Sequence, residues 1–385
     1  MYKIAITMLL GDKGKYLGIV SGIALASLLM IQQPSILLTI LSQTYSLITD
    51  ISLPDIWVMD PQVNSTEDSR PLLDTAVYRV RGVQGVEWAV PLHKGSQTVR
   101  LSNGELAGAQ ILGLDDATLI GGPGEVVSGK LGDLRLPDAV IVDENSAVSR
   151  LARHVPGQPP IPLKVGDTLE INEKRATVVG IARATPTFRS DPIIYTTYSK
   201  AKNFNTSDRK MVSFILAKAK PNENPAVVAK RIAKATDLLA LTAEQFKKKC
   251  LDFMFQHTGM LINFGFVVVV GFVVGTAVTG QIFYNFTLDN LRYFGVFKAM
   301  GTSNRTLLGM ILLQALMVGV IGFGIGAGLS ALFAISTHSG ENIKLELGLP
   351  LLCGSGGAVL LIVLFAAVIS ARKVLKLEPA VVFKS

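Results

Sequence analysis

The sequence predicts a four-span α-helical membrane protein in which one span precedes, and three follow, a large extracytoplasmic α/β domain. Three observations predict it. No charged residue interrupts Leu17 to Ile48, Phe253 to Leu288, Thr306 to Gly340 or Leu347 to Ala371, and crossing the hydrocarbon core takes roughly 20 apolar residues. Between the first two stretches, short β-branched and apolar runs alternate with turn formers. The excess of cations lies beside the spans and not on the long polar region.

Residues 1–16 are expected to form a cytoplasmic N-terminal segment and 17–41 the first transmembrane helix. Lys3, Lys13 and Lys15 ahead of Ala24-Leu25-Ala26 resemble a signal peptide. The apolar stretch nevertheless continues through Gln32, Gln33 and Pro34 to Leu41, longer than a typical h-region, so an uncleaved span kinked at Pro34 is expected.

Residues 42–259 read as a periplasmic α/β domain of two lobes with helical stalks. Strands are expected at 55–59, 85–90, 97–101, 110–114, 139–142, 168–171, 176–181, 193–195 and 212–216. Helices are expected at 70–81, 145–153 and 225–241, the last because Val228, Ile232, Ala235 and Leu239 share a face. The proline-rich run 156–162 reads as a loop between lobes. Thr242 to His257 contains no Gly or Pro and places Phe246, Cys250 and Phe253 at helical spacing. It therefore reads as a stalk running unbroken into the second span, with 42–51 as its counterpart after the first.

The remainder divides into transmembrane helix 2 at 260–284, a cytoplasmic segment at 285–305, transmembrane helix 3 at 306–335, a periplasmic connector at 336–347, transmembrane helix 4 at 348–371 and a cytoplasmic tail at 372–385. Segments 1–16, 285–305 and 372–385 together carry ten cations against Asp12, Asp289 and Glu378, whereas the 336–347 connector has Lys344 against Glu341 and Glu346. The positive-inside rule then puts both termini in the cytosol and the domain outside. The formal net charge of +8 is thereby placed at the inner membrane surface, which argues against a nucleic-acid partner.

Signs of chemistry are scarce. His93, His154, His257 and His338 are dispersed, and no His-Glu-x-x-His, Cys-x-x-Cys or Gly-x-Ser-x-Gly occurs, so neither an enzyme nor a metal site is expected. Gly124 to Lys130 copies a phosphate-binding loop, but Leu131 stands where a hydroxyl must hold Mg²⁺, and Gly132 with Pro137 opposes the helix such a loop needs. A turn is expected there. Cys250 and Cys353 read as isolated packing thiols whose spacing demands no disulfide. The expected bilayer cores hold no ionisable residue, where ion-coupled carriers generally place them, so energy must arrive from elsewhere. Gly271-x-x-x-Gly275, Gly322-x-x-x-Gly326 and Gly324-x-x-x-Gly328 allow close helix approach, either within the chain or across a dimer.

The stretch Leu288 to Leu308 resembles the coupling segment of FtsX/MacB-type ABC permeases, where the second span leads into a short helix that docks on the ATPase. Arg292, Gly295, Val296, Lys298, Ala299 and Gly301 carry the match, followed by a polar turn with Asn304 and Arg305. Leu377-Glu378-Pro379-Ala380 is similar to the C-terminal motif of the same group. Within it, Leu53 to Pro61 and Phe297 to Gly301 resemble the DevC-type permeases of cyanobacterial exporters. The chain has Tyr293 where many members have Glu, so no ion pair to the ATPase is implied from that position.

The resemblance implies a MacB/FtsX-like fold and a permease subunit that binds no cofactor itself, ATP and Mg being bound by a separate DevA-like ABC ATPase subunit. It also implies a homodimer, a DevB-like membrane-fusion adaptor, a TolC-like outer-membrane channel and an amphiphilic or glycolipid cargo. The location implied is the inner (plasma) membrane of a bacterium, cyanobacterial by the narrower likeness. An FtsX-like regulator that activates an external cell-wall hydrolase without transport shares the layout. The length of the outer domain favours export.

Overall fold

The computed structural model describes residues 2–68, 70–154, 159–204, 211–338 and 347–375. These form two compact units, a helical one drawn from residues 2–39, 259–338 and 347–375, and an α/β one drawn from residues 40–258.

The helical unit contains α1 (Tyr2–Gly11), most of α2 (Lys13–Thr44), α9 (Met260–Asp289), α10 (Leu291–Ala299), α11 (Asn304–His338) and α12 (Leu349–Leu375). Of these, α2, α9, α11 and α12 are long and apolar enough to cross a bilayer. α2 continues through Pro34 to Thr44. The first ten described residues, read from sequence as a plain tail, are helical: Ala5 and Leu9 are fully buried, and Gln314 Nε2 donates to the Ala5 carbonyl at 2.7 Å. Asp12 separates α1 from α2 and caps the latter, its carboxylate accepting from Lys15 N at 3.2 Å and its carbonyl from Tyr16 N at 2.9 Å.

Glycines set the helix contacts. A Cβ on Gly275 would lie 2.5 Å from Ala26 Cβ, and one on Gly271 would lie 3.3 Å from Leu29 Cβ, so α9 meets α2 along this edge. On α11, a Cβ on Gly322 would lie 2.7 Å from Ile23, and one on Gly326 would lie 2.5 Å from Ser27 Cβ and 2.6 Å from the Ala24 carbonyl. Gly324 and Gly328, one step round the same helix, face open space. Small residues here let backbones approach and gain dispersion contact, which is what holds helices together where lipid is as apolar as leucine.

The α/β unit is organised on ten strands of one sheet: β1 (Ile56–Met59), β3 (Val86–Arg100), β4 (Leu106–Leu114), β5 (Glu125–Ser128), β6 (Ala139–Asp143), β7 (Thr168–Ile171), β8 (Lys174–Arg183), β9 (Ile193–Thr197), β11 (Phe214–Ala219) and β12 (Leu239–Thr242). Their order is β12-β1-β11-β3-β4-β9-β6-β8-β5, with β7 pairing β3 and β8. A two-stranded ladder joins β2 (Leu72–Leu73) to β10 (Met211–Val212). Pairing is antiparallel except β4 with β9 and β6 with β8. The helices are α3 (Ser46–Asp50), α4 (Ala76–Arg81), α5 (Glu144–Val148), α6 (Tyr198–Phe204), α7 (Pro225–Thr236) and α8 (Ala243–His257).

The period of two along each strand sorts the core into faces. Ile56, Val58, Ile215 and Ala217 pack with α4 and α7, while Ile111, Val140, Val142 and Ile194 pack with residues of α5 and α6. The alternate residues Trp57, Leu92, Leu112, Ile141, Phe214 and Leu216 point the other way, into a cluster closed by Leu47 and Ile48 of α3 and Phe246 and Cys250 of α8. Both faces of the sheet are thus covered by helices.

Several sequence expectations change. The runs 85–90 and 97–101 belong to the single strand β3, because cross-strand partners on β11 and then β4 carry pairing past Pro91. The helix expected at 70–81 begins only at Ala76, after β2. The one expected at 145–153 is α5, Glu144–Val148. The helix expected to 241 ends at Thr236, where Asp237 adopts φ 57° and the chain turns into β12 to pair with β1, so Leu239 lies on a strand. Of the run 156–162 expected as a loop between lobes, 156–158 lie outside the described residues; Arg153 and Ile161 pair as an isolated antiparallel bridge. The stalk is interrupted too: α8 stops at His257, and Gly259 at φ 61° separates it from α9. After the first span, Tyr45 likewise separates α2 from α3.

Candidate functional site

The segment between α9 and α11 is built by three local devices. Asn290 ends α9, its side-chain amide donating to the Phe286 carbonyl at 2.9 Å, and its own carbonyl then accepts from Tyr293 N and Phe294 N to start α10. Gly301, at φ 91°, ends α10 in a Schellman motif: Thr302 N bonds the Phe297 carbonyl at 3.0 Å and Gly301 N the Lys298 carbonyl at 3.1 Å. Ser303 caps α11, its hydroxyl accepting from Thr306 N at 3.3 Å.

α10 has an anchored face and a free one. Phe294 is fully buried among Leu9, Leu307 and Val374, with Gly295 buried beside it. Lys298 Nζ donates to the Leu375 carbonyl at the end of α12, 2.9 Å away, where unpaired carbonyls and the helix dipole both favour a cation. Arg292, Val296 and Ala299 are exposed together with Tyr293 and Met300, the last two about three-fifths accessible at 59% and 64%. Gly301, Asn304 and Arg305 are exposed beyond them. The expected coupling residues therefore separate: Gly295 and Lys298 hold the helix, while Arg292, Val296 and Ala299 face outward. Sequence reasoning missed Met300 and treated Tyr293 only as a departure; their helical spacing with Val296 was the available signal. Glu378, Pro379 and Ala380 lie outside the described residues.

In the α/β unit, the two helices nearest its chain ends, α3 and α8, are fastened to the same part of the sheet. Trp57, Phe214 and Phe246 form an aromatic group with ring centroids 5.6 to 6.0 Å apart. The Asp50 carboxylate accepts from Thr185 N and Oγ1 at 2.8 and 2.9 Å, and burial raises its carboxyl above the usual range against the pull of those bonds. A strap at 65–68 carries an ion pair in which Lys94 is buried and Glu67 about one-fifth exposed: Lys94 Nζ lies 3.0 Å from Glu67 Oε1 and 2.6 Å from the Thr66 carbonyl. Burial pulls the Lys94 ammonium below its ordinary value even with Glu67 beside it, and pushes the Cys250 thiol up to about 11. The pair was legible in part, since the period of two that buries Leu92 puts Lys94 on the same inner face.

The phosphate-loop look-alike forms the edge strand β5 and a turn. Gly129 stands at φ 81° where a Cβ would fall 2.2 Å from the Val179 carbonyl, and one 3₁₀ turn at Leu131–Arg135 follows in place of an α-helix. Such a turn offers no row of free N–H groups to phosphate. Among the described residues no trio of His, Cys, Asp or Glu is placed to hold a metal, and both cysteines are free, Cys250 buried and Cys353 exposed.

Residues 16–235 match the MacB-like periplasmic core domain, and residues 265–379 match the FtsX-like permease C-terminal family. An uncharacterised ABC transporter permease of Mycobacterium tuberculosis (strain H37Rv) is 25% identical over 246 residues, 63% of this chain and 61% of the relative. An uncharacterised ABC transporter permease of Mycobacterium bovis is 25% identical over 321 residues, 82% of this chain and 80% of that one. The chain thus spans about three-fifths of the length of the first of these relatives. Among solved structures, the periplasmic region of MacB from Actinobacillus actinomycetemcomitans aligns with a TM-score of 0.39 at 16% identity, over 52% of this chain and 94% of that one. The extracellular domain of the transporter YknZ from Gram-positive bacteria aligns with a TM-score of 0.36 at 14% identity, over 49% and 98%. With one family model covering more than half of its 385 residues and a second covering most of the rest, the protein belongs to the FtsX/MacB-like permease superfamily.

Proposed function

We propose that this permease is the membrane subunit of an ATP-driven exporter, taking force at α10 from a separate cytosolic ABC ATPase that binds the ATP and Mg. The observation that carries the reading is the two-sidedness of α10: one face is locked to the helical unit through Phe294, Gly295 and Lys298, and the other leaves Tyr293, Val296 and Met300 exposed among the described residues. A short helix fixed between two spans must carry both with it when pushed. Arg305 stands in the first turn of α11, where the helix dipole disfavours a cation, which suits a role toward a partner better than one in the fold.

In this reading residues 285–305 and both termini are cytosolic, and the α/β unit lies on the outer side of a bacterial inner membrane. α3 and α8 are the stalks, and their shared cluster with the sheet supports transfer of motion to it. A homodimer works with two ATPase subunits, a membrane-fusion adaptor and a TolC-like outer-membrane channel, and moves a glycolipid or other amphiphile, as in DevC-type systems. The Glu378-Pro379-Ala380 motif serves as a second ATPase contact, a role supported by the family resemblance alone.

The test replaces Met300 with Glu in the full chain co-expressed with its neighbouring ATPase. The variant should keep wild-type thermal stability within about 0.5 kcal/mol, as an exposed site does, yet lose ATPase co-purification and stimulation. Unchanged stimulation would count against docking at α10, and a cell-wall hydrolase as the sole external partner would replace export by regulation.

A further inference from the structure

Lys94 is the one inward-pointing charge on the buried face of β3, two residues beyond Leu92, and its side chain is 5% exposed. Its neighbours form a line across four elements. Thr66 Oγ1 donates to the carbonyl of Thr44, the last residue of α2, at 2.9 Å. The Thr66 carbonyl and Glu67 Oε1 accept from Lys94 Nζ on β3, and Glu67 Oε2 accepts from Gln110 Nε2 on β4 at 3.0 Å. Ser213, next to β11, closes the line by accepting from Lys94 N at 2.8 Å and donating to the Lys94 carbonyl at 2.9 Å.

Stability alone is a poor reason for this arrangement. Withdrawing the Lys94 ammonium from water, with Glu67 still 21% exposed, costs more than the attraction between them reliably returns, and apolar side chains of similar volume often serve the fold as well or better. The downward pull of burial on the Lys94 ammonium says that desolvation is the larger effect here. Direction is what an ion pair adds over an apolar contact. Leu47 and Ile48 of α3 could slide over the sheet with little change in contact, whereas the bonds through Thr66 are made at one position only.

We infer that Lys94 and Glu67 are positioning residues that pin the end of α2 to the sheet, so that displacement arriving there moves β3 and β4 and is not lost by slippage. The inference rests on reading the chain as a transmitter of motion. It assigns to the 65–68 strap the role of a fixed link between the incoming helix and two neighbouring strands of the central sheet.

The test uses the full chain in nanodiscs, with amide hydrogen exchange and thermal denaturation read together. Lys94→Met or Glu67→Leu alone should lower the melting temperature, because the first leaves a mostly buried carboxylate and the second a buried ammonium without its ion-pair partner. The double variant should recover the wild-type melting temperature, yet exchange at residues 44–50 and 65–68 should be faster by about tenfold or more, a local opening beneath an intact global fold. Thr66→Val keeps the ion pair and cuts only the tie to Thr44; exchange should accelerate at 44–50 and not at 65–68. Wild-type exchange at 44–50 in either the recovered double variant or Thr66→Val overturns the pin. If the double variant does not recover its melting temperature, the pair is a stability element, and the inference fails in that way too. Reconstituted with the ATPase, the recovered double variant should hydrolyse ATP and not transport; a wild-type permease that fails to stimulate the ATPase would sink the exporter reading while leaving the exchange result to judge the pin.

Discussion

α10 and the α3–α8 junction are both short helical elements beside longer ones, and they meet their surroundings in opposite ways. α10 buries one aromatic, Phe294, takes one tie from Lys298 and leaves Tyr293, Val296 and Met300 in the open. The junction buries Leu47, Ile48, Phe246 and Cys250 with the sheet and adds the polar ties of Asp50, Thr66 and Lys94. In the proposed reading, a contact that forms and releases presents exposed apolar surface on a helix whose opposite face is anchored to its own unit. A contact that must not slip combines area, which resists separation, with directional bonds, which resist sliding.

The largest effect should come from breaking the fixed side. Phe246→Ala removes a fully buried ring from the group with Trp57 and Phe214, and a loss of about 3–5 kcal/mol is expected on thermal or denaturant unfolding of the purified protein. A loss under about 1 kcal/mol would mean that α8 is held by something other than this cluster. Next is the releasing side. Gly301→Val forces a β-branched residue into φ 91°, costing about 1–3 kcal/mol locally, and should unravel the end of α10. ATPase stimulation should fall while the melting temperature of the whole protein changes little; a retained response would show that the Schellman turn is not needed to present Met300.

The smallest effect sharpens the comparison. Because burial raises the Asp50 carboxyl, the folded protein takes up that proton before the unfolded chain does as pH falls. Its contribution to stability therefore grows as pH drops through the folded pKa and is complete below the ordinary carboxylate value. Asp50→Asn removes this dependence, so the stability difference between wild type and variant should widen in favour of wild type from about pH 7 to about pH 4. A difference that stays constant with pH would mean that Asp50 does not titrate within the junction.

Much was legible because membrane spans and strand runs are written in local chemistry. The uncharged stretches around Leu17, Phe253, Thr306 and Leu347 each supply most of a helix of bilayer length, since a backbone with no water to bond must bond itself. Most strands are legible as β-branched runs between turns. The failures share a cause: Leu239 has a helical neighbourhood in sequence, but the free edge of β1 recruits it into β12, and pairing across the sheet outweighs propensity. Pro91 stands between two apolar runs that read as separate strands, yet β3 passes through it because partners on either side supply the ladder.

Sequence by itself determined the order of one span, a domain and three spans, the clustering of cations beside those spans, and the presence of a motif-bearing segment around Arg292 to Arg305. These depend on residues adjacent in the chain. Only the tertiary structure decided which side of α10 is free, that Gly326 rests on Ser27 while Gly328 faces open space, and that Lys94 meets Glu67 and, through Thr66, the end of α2. Those outcomes join residues far apart in sequence, and which of them meet is set by packing and register, to which each residue alone contributes no signal.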